Sequence, residues 1–220
     1  SRTSLAKATG CSSSRRAAFS ILAASVIAMT KDNLKARLAY STISQLSYIT
    51  LGVALASSMG ILGGGLHVVM HAMGKITLFM CAGSIYVATH RTEISQMTGL
   101  GRRMPITFIA FLIGALSIIG LPPLGGSWSK WLLMVGAVDA EHLFILGVLL
   151  VSSLLNVAYL LPLVAKGFFL SNDTDAELAQ SAEASPLVWG PPAATAFGCV
   201  VLFFYAGHIQ DFLMPIVATN

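Results

Sequence analysis

The chain has 220 residues, 55% of them hydrophobic and 10% charged, with a mean hydropathy of +0.79. Soluble domains carry about a quarter charged residues, so this composition argues against a soluble helical bundle and for a polytopic membrane protein. Its three cysteines, Cys11, Cys81 and Cys199, have no CxxC spacing and no evident pairing, which points to neither a metal site nor a disulfide framework; Cys81 and Cys199 read as small apolar packing residues.

From the start of the chain, residues 1–16, "SRTSLAKATGCSSSRR", have no apolar periodicity and form an atypical N-terminal segment ahead of a transmembrane domain at 17–220. The segment is rich in Arg, Ser and Ala and free of acids, as a signal or transit peptide is. The alternative, favoured here, is a truncated or misread end.

Crossing roughly 30 Å of hydrocarbon takes about 20 apolar residues. A short apolar run at 17–30 is followed by longer ones at 36–58, 66–89, 104–121, 124–138, 142–169 and 187–206. The run from 104 to 138 is interrupted by "IGLPPLGGSWSK". There Pro122 and Pro123 remove amide donors, and Gly120, Gly125 and Gly126 relax the backbone. The expectation is one discontinuous transmembrane element in two halves; a plain loop between two short helices is the alternative. A break in hydrocarbon is tolerable only where protein or a water-lined cavity covers the freed carbonyls, and such breaks point to transport sites.

If 104–138 crosses once, "KDNLKAR" (31–37), "HRTEISQMTGLGRR" (90–103) and the stretch after Lys166 fall on one face. That face holds Lys31, Lys35, Arg37, Arg91, Arg102, Arg103 and Lys166, whereas "SSMGILGGG" and "VDAEH" on the other hold no Lys or Arg. By the positive-inside rule the basic loops are cytoplasmic. Arg15 and Arg16 depart from that pattern.

The stretch "GGGLHVVMHAMGKITLF" (63–79) places His67, His71 and Lys75 four residues apart. On a helix they share one face as a line about 12 Å long. A lysine at the centre of a bilayer helix costs about 2.5–3.5 kcal/mol on insertion scales, so it marks a functional site by default. A lone histidine is more often a packing residue; three titratable groups in register read instead as a proton path. Two imidazoles at HxxxH could also hold a metal, but the third position is Lys and no acid or thiol lies near in sequence, so no metal is expected. Lys130, in "GGSWSKWLL", lies just past the break as a second intramembrane lysine. Its bland alternative is a lysine snorkelling beside the interface-preferring Trp128 and Trp131.

The nine carboxylates, Asp32, Glu93, Asp139, Glu141, Asp173, Asp175, Glu177, Glu183 and Asp211, all fall in loops or at the ends of runs. Lys75 and Lys130 thus find no partner in a helix interior of this sequence, although intramembrane charges normally have one. The expected partner lies in another chain or in sequence not present here. Two weaker polar faces, Ser41, Thr42, Ser44, Gln45 and Ser47 in one helix and Ser152, Asn156 and Tyr159 in another, read as helix-packing contacts, with Ser44 and Gln45 able to hold water. Pro162 should kink the second helix. The stretch "SNDTDAELAQSAEASP" reads as a solvated connector.

"KDNLKARLAYSTISQLSYI", "HVVMHAMGKITLFMCAGSIYVATH", "GRRMP" and "GLPPLGGSWSKWLL", in this order, resemble the antiporter-like membrane subunits shared by respiratory complex I and the Mrp-type cation/proton antiporters. "SQLSY" and "GKITLF" look closest to the D-type member of the Mrp group. The resemblance covers about residues 20–170. It implies an all-α transmembrane bundle with a discontinuous helix, the second of two inverted repeats. By motif it makes Lys75 the central-axis lysine, His67 and His71 its neighbours, and Lys130 the ionisable residue of the broken helix, where family members carry Lys or Glu. It implies proton translocation through a buried Lys/His relay in exchange for a monovalent cation, Na+ or K+. The alternative is a subunit of complex I or a related hydrogenase, coupling quinone or electron-transfer chemistry to proton pumping.

The implied partners are sister membrane subunits and the lipid bilayer, with no nucleic acid, and the implied location is the inner cell membrane. The family's first repeat, with a buried glutamate and its own broken-helix lysine, would precede "ASVIAMTKDNLK". A packing scaffold and a quinone-binding redox subunit are the other classes. The sequence carries no flavin, nucleotide or iron–sulfur motif, so no cofactor is expected.

Overall fold

The computed structural model describes residues 2–170 and 182–218. Most of the expected connector at 171–186 lies outside the described residues. The described chain is helical: α1 (Arg2–Thr30), α2 (Leu34–Ala54), α3 (Ser58–Thr89), a short 3₁₀ turn (Ile94–Met97), α4 (Leu100–Arg103), α5 (Pro105–Ile119), α6 (Gly126–Asp139), α7 (Leu143–Phe169) and α8 (Pro186–Ala218). No β-strand occurs among the described residues; one isolated bridge pairs Asn33 with Glu93.

By length and composition, three helices among the described residues can cross a membrane: Ser58–Thr89, Leu143–Phe169 and Pro186–Pro215. This is an integral membrane fold. Helix α2 has 21 residues, but its polar positions lower its hydropathy below that of the three. Helix α1 runs without a break through residue 16, the boundary drawn from the sequence, and α7 runs through Pro162.

Helix α3 is the hub, packing against α2, α5, α6 and α8, while α7 closes the far side against α1 and α5. One apolar cluster, around Leu38, Leu78, Ile85, Phe108, Phe111 and Leu163, fills the end nearer the basic loops. A second, around Ile21, Leu51, Leu133 and Leu149, fills the opposite end between α1, α2, α6 and α7. A third joins α3, α6 and α8 through Leu66, Met70 and Ala206.

The connections gather the basic segments at one end. The Leu34 amide donates to the Thr92 carbonyl at 3.0 Å and the Ile94 amide to the Asp32 carbonyl at 2.9 Å. Asn33 caps α2 by accepting from the Ala36 amide and donates through Nδ2 to Glu93 at 3.0 Å. The Gly99 amide donates to the Lys166 carbonyl at 3.1 Å, and Arg102 Nε to the Phe168 carbonyl at 2.8 Å.

The opposite end corrects one expectation. The glycine-rich "SSMGILGGG" has the pattern of a loop, yet Ser58 onward is helix and the chain turns at Leu55–Ser57. The glycines there do not break the helix; they let helices touch. A Cβ on Gly52 would stand 2.5 Å from the Gly60 carbonyl oxygen, and one on Gly136 2.4 Å from the Gly60 amide nitrogen. Ser57 fastens the same point, accepting from the Gly60 amide at 3.1 Å and donating to the Gly136 carbonyl at 2.9 Å. A second difference concerns Asp211. The last helix extends to Ala218, so this residue lies within a helix, exposed, instead of at the end of an apolar run.

Gly136→Ala should therefore destabilise the folded subunit by about 1–3 kcal/mol, because the added methyl meets backbone that cannot rotate away. Gly147→Ala, with open space at its Cβ position, should stabilise by about 0.5–1 kcal/mol as an ordinary helix glycine does. Thermal unfolding midpoints of the two variants in the assembled protein check both signs.

Candidate functional site

The break is built around a lysine. Helices α5 and α6 have 15 and 14 residues, about 22 and 21 Å long at 1.5 Å per residue, so neither crosses the hydrocarbon alone. Helix α5 ends at Gly120 in the left-handed region, φ +91°, which frees the last carbonyls of the helix. Lys130 Nζ donates to one of them, Ile119 O, at 3.0 Å, and to Ser153 Oγ at 3.3 Å. Glycine is needed at 120 for its φ and because a Cβ there would sit 2.8 Å from Lys130 Cδ. Gly126 is equally constrained: a Cβ would stand 1.9 Å from Ser117 O. The Gly125 amide donates to the Cys199 carbonyl at 3.1 Å, tying the break to α8. Lys130 is 5% exposed, turned inward and not snorkelling, whereas Trp128 and Trp131 face outward.

Helix α3 turns its stripe into the bundle, with His67, His71 and Lys75 all buried. The two imidazoles stack, centroids 5.8 Å apart and planes at 20°. Parallel rings do not converge their nitrogens on one point, as a metal pair must. Tyr48 of α2 also stacks with His67, centroids 5.4 Å apart, and Lys130 Nζ lies 5.1 Å from the Tyr48 ring centroid. The tyrosine thus joins the histidine stripe to the lysine of the break. Ser129 Oγ donates to the Gly126 carbonyl at 3.1 Å and stands 2.9 Å from His67 Nδ1.

Lys75 Nζ donates to Ser41 Oγ at 2.7 Å and to Leu38 O at 3.2 Å. Tyr159 donates to Asn156 Oδ1, so Ser41, 2.8 Å from the Tyr159 hydroxyl, is the donor of that pair. Gln45 Nε2 donates to the same Asn156 oxygen at 3.3 Å. A directed chain therefore runs Lys75, Ser41, Tyr159, Asn156 across the α2–α7 interface. The two polar faces that the sequence presents as packing contacts meet here and hold Lys75. Ser44 instead contacts Ser25 of α1 at 2.9 Å.

Both lysines are held by neutral oxygens. Of the described carboxylates, Asp32, Glu93 and Glu183 bond to Ser95, Asn33 and Thr107, and Asp139, Glu141 and Asp211 are exposed. Four buried polar atoms of this region, Gln45 Oε1, His67 Nε2, His71 Nδ1 and Asn156 Nδ2, have no hydrogen-bond partner among the described residues.

Sequence reading missed Tyr48, Ser129 and Ser153. The signal for Tyr48 was its place one turn beyond Gln45 on the same face, and for Ser129 its position next to Lys130. Ser153 carried no signal, since which face of α7 meets the break is decided by packing.

Residues 14–156 match the family described as NADH:quinone oxidoreductase/Mrp antiporter, TM. The chain belongs to this family. It is 39% identical over 152 residues to NADH-quinone oxidoreductase subunit N of Desulforudis audaxviator, covering 69% of this chain and 30% of that protein. It is 32% identical over 200 residues to NADH-quinone oxidoreductase subunit L of Rickettsia bellii, covering 90% of this chain and 30% of that protein. The fold is that of a chain in the Mrp complex of Dietzia sp. DQ12-45-1b, with TM-score 0.87 and 20% identity over 96% of this chain and 47% of that one. The chain thus spans under a third of the length of these curated relatives. It is an antiporter-like membrane subunit sequence of the complex I and Mrp type, with a helix broken at 120–125.

The Lys75–Ser41–Tyr159 chain is testable by a double-mutant cycle. Ser41→Ala should cost about 1–3 kcal/mol by removing the acceptor of Lys75 Nζ and the donor to the Tyr159 hydroxyl. Tyr159→Phe added to it should cost less than its effect alone, because the two act through one hydrogen bond. Strict additivity in denaturant unfolding would show that the chain does not act as a unit.

Proposed function

We propose that this chain forms part of a proton-translocating antiporter-like subunit in which protons pass stepwise among Lys75, His71, His67 and Lys130 through water. The carrying observation is one buried stripe, His67, His71 and Lys75 on α3, joined to Lys130 across Tyr48 and Ser129. Unpartnered buried atoms, among them His67 Nε2 and His71 Nδ1 of the stripe itself, support water as the carrier between the groups. Like charges repel in a low dielectric, so a proton arriving at one lysine favours release from its neighbour. The neutral setting of both lysines supports a counter-charge supplied from outside these residues. It fits the reading of this chain as the second inverted repeat of a longer subunit, with a carboxylate contributed by the rest.

The partners are sister membrane subunits of a hetero-oligomeric complex, and the exchanged ion is a monovalent cation, Na+ or K+. The names of the relatives, subunits N and L of NADH-quinone oxidoreductase, favour a second reading: a membrane subunit that couples electron transfer elsewhere in its complex to proton pumping. The clustering of the basic segments at one end of the bundle supports an inner-membrane orientation with that end in the cytoplasm.

Lys75→Ala and Lys130→Ala, made in the complete subunit and complex, should each reduce proton-coupled transport in vesicles to background while the complex still assembles. Unchanged transport in both variants would sink the relay. Whether the wild-type complex moves protons in response to a Na+ or K+ gradient, or only during NADH-driven quinone reduction, separates the two readings.

A further inference from the structure

A cleft of about 670 Å³ opens beside the helix break. Its walls are apolar, formed by Trp131, Leu150, Leu154, Val157 and Phe203, and its floor holds Lys130 and Ser153. Trp131 and Leu154 at its edge are more than half exposed, whereas Lys130 is buried. Lys130 Nζ donates to Ile119 O and Ser153 Oγ, both residues of the cleft; as a neutral amine it keeps a lone pair for one more proton, and the ammonium so formed has a third N–H to donate. The volume lies within the range of sites for single small amphiphiles, about 300–1,000 Å³.

We infer that this cleft binds a long-chain fatty acid, its alkyl chain along α6 and α7 and its carboxylate on Lys130. Charge complementarity selects the head group: Lys130 is held by neutral oxygens and has no carboxylate partner among the described residues, and the acid fills at Lys130 the counter-charge position that the relay reading leaves to the rest of the subunit. Depth selects among anions. Ile119 lies 15 residues into α5, about 22 Å along the helix from Pro105, so the head group must pass through hydrocarbon. Burying an isolated ion is prohibitive. A carboxylic acid can make that passage neutral and then give its proton to the Lys130 amine, forming carboxylate and ammonium with no net charge moved. A phosphodiester head stays ionised and cannot. The site goes beyond the relay reading, since binding requires only that Lys130 face the cleft.

The test uses the complete complex in nanodiscs and a palmitic acid probe carrying a diazirine, with crosslinks mapped by mass spectrometry. Labelling should concentrate on residues 120–157, and palmitic acid should compete it away at about tenfold lower concentration than hexadecanol, the worth of one charge-assisted hydrogen bond. Lys130→Gln should lower palmitic acid labelling without changing labelling by a hexadecanol probe. Even labelling of all lipid-facing helices, or equal competition by hexadecanol or by phosphatidylglycerol, would overturn the assignment. The labelling of wild-type protein needs no variant to fold. Transport by the lysine variants reports separately on the relay, so either idea can fail without the other.

Discussion

An ammonium group or a freed carbonyl in an apolar bundle has no water to turn to, and the pairing of Lys130 with the Ile119 carbonyl answers both needs at once. The break exposes the carbonyl, and the lysine that fills it is drawn out of the lipid. Everything near the break follows from this contact. Gly120 takes a left-handed φ and leaves room for the lysine stem, Gly126 lets α6 start against the Ser117 carbonyl, and the Tyr48 ring lies beside the ammonium. Lys75 repeats the solution with the Leu38 carbonyl and the Ser41 hydroxyl.

Close approach of helices makes these contacts possible. Between lipid-embedded helices the hydrophobic drive is weak, and small residues let backbones meet. Gly52, Gly60 and Gly136 bring α2, α3 and α6 together near one end, while Gly74 and Gly114 let α3 and α5 pack at mid-height. The titratable stripe lies on the face of α3 that is so enclosed, while Val68, Val69, Ile76 and Phe79 on its other face are exposed. The stacked order Tyr48, His67, His71 is a consequence of that enclosure.

Much was legible before any coordinates, because some signals are local. Four-residue spacing put His67, His71 and Lys75 on one face, and Pro122 and Pro123 with three glycines marked the break. The misreading of "SSMGILGGG" has an equally local cause: a glycine cluster is a loop signal in water and a packing signal between helices. The meeting of Ser41 with Tyr159 or of Lys130 with Ser153 was not legible, since partners more than a hundred residues apart, or on opposite sides of a loop, are chosen by which helix faces touch.

The sequence by itself determined membrane class, helix content, the titratable stripe and the place of the break, all consequences of composition and of periodicity along one helix. Only the tertiary structure decided what each lysine bonds to, that the α2 and α7 polar faces form a single chain with Lys75, and that a cleft reaches Lys130 from outside. Those are properties of surfaces meeting in three dimensions, where one rotation of a helix about its axis would exchange every partner while leaving the sequence pattern unchanged.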